Sequence, residues 1–259
     1  MRNVNIKPKT MWISLTDICN NKCLWCYEKG NQSKIHGFIE REVVNKILNT
    51  MTKVGIKKCI LIGGEPTLHP YLYEIIDDIT QYDIPISLVS NGRQFSDIKN
   101  INKLKKAKIN SLVLSIHGWS DETYTTFTRA KNGFSDLKKS INQLKEENIN
   151  FGINIVLSKY TLNEINHIIN FILWIKLRRV SFNIASPIVS RHGINADFVA
   201  EMKEYSSHIM DIYYKCKAHG INARFLLTVP HCIFSNEQLA QLSKTRSIVS
   251  GCQLLHEFK

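Results

Sequence analysis

Six short apolar runs alternate with amphipathic stretches along this chain of 259 residues, and the alternation restricts it to a parallel sheet flanked by helices. The runs read as strands at 11–15, 59–62, 86–89, 111–116, 151–157 and 179–184. Helices are expected at 40–53, 71–82, 96–107, 134–147, 162–175 and 196–219. In the first helix, Val43, Val44, Ile47, Leu48 and Met51 recur at helical spacing and share one face. Six β-α units are too few for a closed eight-unit barrel. No repeat or low-complexity linker interrupts the series, and the length suits one large domain plus an extension.

The segment after the first strand carries the chemistry. Cys19, Cys23 and Cys26 form a C-x3-C-x2-C run, which can aim three thiolates at one point and offers no fourth ligand. Thiolates suit iron–sulfur clusters and zinc, and a structural zinc site is normally closed by four ligands. Three ligands with an open corner point to a cluster that keeps one iron free for a small molecule. Disulfide pairing would leave an odd cysteine and gives no reason for so tight a spacing. A second polar loop, Gly63-Gly64-Glu65-Pro66, ends the second apolar run; Ser90-Asn91-Gly92 and Ser115-Ile116-His117-Gly118 end the next two. All lie past the C-terminal ends of strands, the rim where barrel enzymes build their sites.

This constellation resembles the radical S-adenosylmethionine (radical SAM) superfamily over roughly residues 10–185. The likeness rests on the cysteine run with Trp25, on the GGEP turn, and on Arg129 and Gly133 in the stretch after the "S-x-D-G" segment, where this chain has His117 instead of Asp. It implies an α/β fold of the partial (β/α)6 TIM-like barrel type. It implies a [4Fe–4S] cluster on Cys19, Cys23 and Cys26, with S-adenosylmethionine (SAM) on the fourth iron. Gly63 and Gly64 would let the backbone approach the methionine amine, Glu65 would supply an acceptor beside it, and Arg129 would take the carboxylate. Ser90, Asn91, Ser115 and Asn154 are expected at the ribose or carboxylate, and Tyr27 and Leu157 at the adenine. Residues 1–225 are expected to form this core and 226–259 an extension. There Cys232 and Cys252 resemble the opening ligands of an auxiliary domain (SPASM or twitch) holding a second iron–sulfur cluster. A truncated stretch of a longer protein, or a thiol hydrogen donor, would also account for the pair.

Composition narrows the partners little. Net charge is +12, with 34 Lys and Arg against 22 Asp and Glu, which favours anionic partners. The basic residues are scattered, however, and no RNA-binding module or aromatic platform accompanies them, so nucleic acid is not the expected partner. Cys59 and Cys216 read as small packing residues, the histidines show no metal spacing, and Asp197 is a weak candidate base. The start lacks a signal-peptide pattern and no run reaches the roughly 18 apolar residues of a membrane span, so a reducing cytoplasm is expected. The expected activity is hydrogen abstraction from a ribosomally made precursor peptide, with flavodoxin or ferredoxin as electron donor. A nucleotide, cofactor precursor or RNA substrate is the alternative, and a non-catalytic metal-binding regulator is the third reading.

Overall fold

A computed structural model describes residues 9–29, 37–190, 193–226, 229–248 and 257–258. Its centre is a parallel sheet in the order β10-β1-β2-β3-β4-β5-β6-β9. The main strands are β1 (Thr10–Ser14), β2 (Lys58–Ile62), β3 (Ile86–Ser90), β4 (Ser111–Ile116), β5 (Phe151–Leu157), β6 (Arg179–Ile184) and β9 (Asn222–Leu226). Short β10 (Glu257–Phe258) pairs with the free edge of β1. Strands β9 and β10 occupy the two edges of the sheet. The expected partial α/β barrel is therefore present, with a seventh principal strand added.

The crossovers are α1 (Arg41–Val54), α2 (Leu72–Thr80), α3 (Ile98–Lys106), α4 (Asp121–Thr128), α5 (Gly133–Glu146), α6 (Lys159–Leu162), α7 (Ile165–Ile175) and α8 (Met202–Ala218). Beyond β9 comes α9 (Asn236–Lys244). Four features depart from the sequence expectation. Helix α4 carries four threonines and no clear apolar stripe; it is started by a reciprocal cap in which Ser120 accepts from Thr123 N–H. A second such cap, Ser158 with Thr161, starts the short α6, which ends at Leu162 before α7 begins at Ile165, where one helix was expected. Residues 196–201 are not helical, and the hairpin β7 (Ile188–Ser190) and β8 (Gly193–Asn195) precedes them. Strand β9 hides in a polar sequence because only Ala223 and Phe225 are buried on its helix-facing side.

The two faces of the sheet differ sharply. On β4, Leu112, Leu114 and Ile116 are 2% exposed or less, and Leu114 meets Leu137 of α5 around Gly92. On β5, Ile153, Ile155 and Leu157 repeat the pattern. The alternate residues Val113, Ser115, Asn154 and Val156 face the concave side and are half-buried. This period-two division makes the helix side the apolar core and the inner side a polar wall.

Leu114 is wholly buried, so truncation leaves a cavity that the flanking helices cannot fill. Leu114→Ala should lower unfolding stability by about 2–5 kcal/mol in denaturant titration, with an unchanged slope. A loss below about 1 kcal/mol would show that this face is not the core.

Candidate active site

The cysteine loop is pinned at both ends. Leu15 N–H donates to Ile62 O (2.8 Å), continuing the β1–β2 ladder, and buried Thr16 donates from its hydroxyl to Gly37 O (2.6 Å) while accepting from Ile18 N–H (3.0 Å). Farther on, Lys22 N–H reaches Thr128 O (2.7 Å) and Leu24 N–H reaches Phe127 O (2.9 Å). The last turn of α4 thus uses its unpaired carbonyls to hold the loop. Asn21 donates to the Tyr124 hydroxyl (3.0 Å) and accepts from Arg93 (3.1 Å), which also donates to Asn20 O (2.7 Å) and is paired with Asp136 (2.8 Å). These bracing residues were missed by sequence reasoning, because each is an ordinary polar residue until the fold brings it to the loop.

The GGEP turn packs directly on that loop. Gly64 N–H donates to Thr16 O (2.6 Å) and Glu65 N–H to Ile18 O (2.8 Å). Gly63 adopts φ +135°, and a β-carbon there would collide with Thr16 O. One on Gly64 would lie within 3.0 Å of three Asp17 and Ile18 backbone atoms. Both glycines are required by backbone contact with the segment that delivers Cys19. Glu65 is 1% exposed and accepts from Thr67 N–H (3.1 Å), Thr67 Oγ1 (2.5 Å), Ser90 Oγ (2.7 Å) and Asn91 N–H (2.7 Å). Burial pushes its pKa up, and these hydrogen bonds oppose the shift. Its carboxylate ties the end of β2 to the end of β3, and Ser90 and Asn91 are spent on that tie. The Asn91 side chain turns to Asn20 Oδ1 (2.6 Å) and Cys19 Sγ (3.8 Å).

Cys19 and Cys26 are half-buried, Cys23 is buried, and none of the three is in a disulfide. Burial pushes the Cys19 thiol up to about 11, with Glu65 and Cys26 adding to the shift and the Asn21 N–H (3.3 Å to Sγ) and Asn91 opposing it. Thiolate here calls for a nearby cation, which iron supplies. Among the described residues no three His, Cys, Asp or Glu side chains gather closely enough for one metal ion. Cubane ligation differs in that each thiolate binds a separate iron, so the donor set fits a cluster better than a lone ion.

Around the mouth, Trp25 packs on Phe127 (5.4 Å between centroids) and on His117 (6.0 Å). Trp25 Nε1, His117 Nδ1 and Asn154 Oδ1 are buried without protein partners, as is Asn183 Oδ1 on β6. Ser115 and Asn154 pair in register on the inner face. Leu157, expected beside the adenine, is fully buried on the helix side of β5. Tyr27 begins a short 3-10 turn (Tyr27–Lys29) and is 49% exposed; β7 lies against that turn. Arg129 is the left-handed cap of α4, with its side chain exposed. Cys232 is exposed on the turn His231–Ile233, shortly after β9 in sequence, and Cys252 lies outside the described residues.

Residues 13–172 match the family model of the radical SAM superfamily. The chain belongs to the radical SAM superfamily. Accordingly it uses a [4Fe–4S] cluster and SAM. Its fold is similar to SuiB of Streptococcus suis, solved bound to S-adenosylmethionine (TM-score 0.68, 17% identity, 85% of this chain and 50% of that one). The same enzyme solved with its precursor peptide SuiA gives a TM-score of 0.67 at 18% identity, covering 85% of this chain and 48% of that one. By sequence the chain is 33% identical over 139 residues to a probable GTP 3′,8-cyclase of Methanocaldococcus jannaschii, covering 53% of this chain and 45% of the relative. It is 29% identical over 176 residues to an S-adenosylmethionine-dependent nucleotide dehydratase of a Fibrobacter strain, covering 62% of this chain and 51% of the relative. The chain thus spans about half the length of these curated relatives.

Two outcomes follow from the geometry. Gly64→Ala should reduce the iron retained per chain several-fold after anaerobic reconstitution, because the added carbon displaces the Cys19 segment. Gly152→Ala, whose added carbon meets nothing within 4 Å, should retain iron as the parent does; equal retention by both variants would contradict the packing account. His117 is held neutral by burial, its pKa pushed down to about 4. The stability this contributes is present above about pH 6.5 and is lost as pH falls towards about 4, since the unfolded chain takes up the proton first. His117→Asn should flatten that acid-side fall in thermal melts; an unchanged slope would mean the imidazole protonates freely in the folded protein.

Proposed function

We propose that this chain reductively cleaves SAM and uses the resulting radical to abstract hydrogen from a precursor peptide made on the ribosome, as a step in its crosslinking, epimerisation or other maturation. One observation carries the reading: three cysteines on a doubly pinned loop, none in a disulfide, stand at the rim of a barrel whose inner wall carries unpaired polar atoms. Cys19, Cys23 and Cys26 would hold the cluster. When bound, the cluster and SAM supply a 5′-deoxyadenosyl radical on one-electron reduction.

The chain's own residues position and exclude. Gly63 and Gly64 set the loop, Trp25 and Phe127 form an apolar flank that limits water, and Ser115 and Asn154 offer hydrogen bonds from the inner wall. Arg129, exposed beside the loop that α4 anchors, is free to reach a carboxylate. The peptide reading is supported by fold likeness to an enzyme solved with its precursor peptide. A nucleotide or cofactor-precursor substrate is the second reading, favoured by the names of the curated relatives. The electron would come from a flavodoxin or ferredoxin in the cytoplasm. No helix among the described residues is long and apolar enough to cross a membrane. A second cluster at Cys232 and Cys252 remains part of the proposal, with thiol hydrogen donation as the other role.

Anaerobically reconstituted protein given SAM and dithionite should release 5′-deoxyadenosine and methionine, and Cys23→Ala should abolish release. Iron-loaded protein that leaves SAM intact would remove the enzymatic claim. Stimulation of release by GTP, and not by candidate precursor peptides, would replace the peptide reading with the nucleotide one.

A further inference from the structure

We infer that Arg224 and Asn183, on the inner wall of β6 and β9, form a subsite for a carboxylate of the substrate peptide. The inference rests on the peptide reading above and adds the group that is recognised. Ser115, Asn154, Ser181 and Arg224 pair in one row across β4, β5, β6 and β9, and Asn183 lies one inward-facing position further along β6. The alternate residues Val180, Phe182, Ala223 and Phe225 are 1–2% exposed on the helix side, where the Phe182 and Phe225 rings stack at 5.4 Å. Arg224 and Asn183 therefore take the concave face, half-buried.

Two debts are left open there. Asn183 Oδ1 is buried with no hydrogen-bond partner, a destabilising state until a donor arrives. Arg224 takes part in none of the ion pairs among the described residues. A half-buried guanidinium without an ion-pair partner favours an anion that accepts two parallel hydrogen bonds, the geometry of a carboxylate. A peptide supplies both complements at once: a side-chain or terminal carboxylate for Arg224 and a neighbouring backbone N–H for Asn183. The charge count favours this ligand over a triphosphate. In the C-terminal half of β4, β5, β6 and β9, Arg224 is the one Lys or Arg on the inner-facing row, so the wall matches one negative charge. The sheet order also sets β6 and β9 away from β1, whose end delivers the cysteines. A substrate held there would face the radical source across the barrel.

The test uses reconstituted, SAM-loaded protein and three probes followed by NMR titration: N-acetyl-glutamate N-methylamide, its glutamine counterpart, and GTP. The glutamate probe should bind saturably and shift the Arg224 guanidinium resonance, and the glutamine probe should bind about 10-fold more weakly or worse. Arg224→Gln should weaken the glutamate probe about 10- to 100-fold, Arg224→Lys should give an intermediate loss, and Asn183→Ala a loss of several-fold. Thermal melts of each variant separate lost binding from lost folding. Equal binding of the two peptide probes, or no effect of either Arg224 substitution in a folded variant, would overturn the subsite. Tighter binding of GTP that is lost in Arg224→Gln would also overturn it, reassigning the group to phosphate. Absence of 5′-deoxyadenosine release by the parent protein would instead sink the radical reading, and the binding results would still be read on their own.

Discussion

The close approach of two glycines to three backbone residues organises this molecule. With no β-carbon at Gly63 or Gly64, the end of β2 lies against Thr16–Ile18, and two backbone hydrogen bonds lock the contact. Cys19 begins at the next residue. The position of the first thiol is thus set by steric fit to the neighbouring strand rather than by the flexibility of its own loop. The last turn of α4 then fixes the loop beyond Cys19, so the second and third thiols inherit their place from a helix whose sequence is mostly threonine and acid.

Burial without complete pairing runs through the site. Glu65 has its hydrogen-bonding capacity filled by its own neighbours and acts as a clasp between β2 and β3. Trp25, His117, Asn154 and Asn183 present buried polar atoms that the protein leaves unmatched. Native proteins rarely tolerate such groups except where a ligand completes them. The division is informative: Asn21, Arg93 and Glu65 are consumed in holding the cysteine loop and its neighbouring turn, whereas Asn154 and Asn183 on the inner wall are left unmatched.

Much of this was legible in the sequence because period and spacing survive folding. The strands at 111–116, 151–157 and 179–184 coincide with β4, β5 and β6, since their β-branched and leucine runs face a continuous helical layer. The cysteine run and the GGEP turn announced a single rim site. The packing partners of these residues could not be read, because the glycines meet backbone atoms of a segment some 45 residues earlier in the chain and the Glu65 carboxylate meets Ser90 and Asn91, at the end of the next strand. Strand β9 escaped notice for a related reason. It sits at the sheet edge with two buried side chains, so Arg224 and Asn222 mask the pattern. Helix α4 was missed because side-chain caps, not an apolar stripe, define it.

The central claim is that three thiolates hold a cluster with one iron left open to SAM. Mössbauer spectra of the anaerobically reconstituted protein, recorded with and without SAM, test it most directly. The account predicts a four-iron cluster in which one iron alone changes its parameters when SAM is added. A mononuclear iron site, or four irons indifferent to SAM, would contradict it.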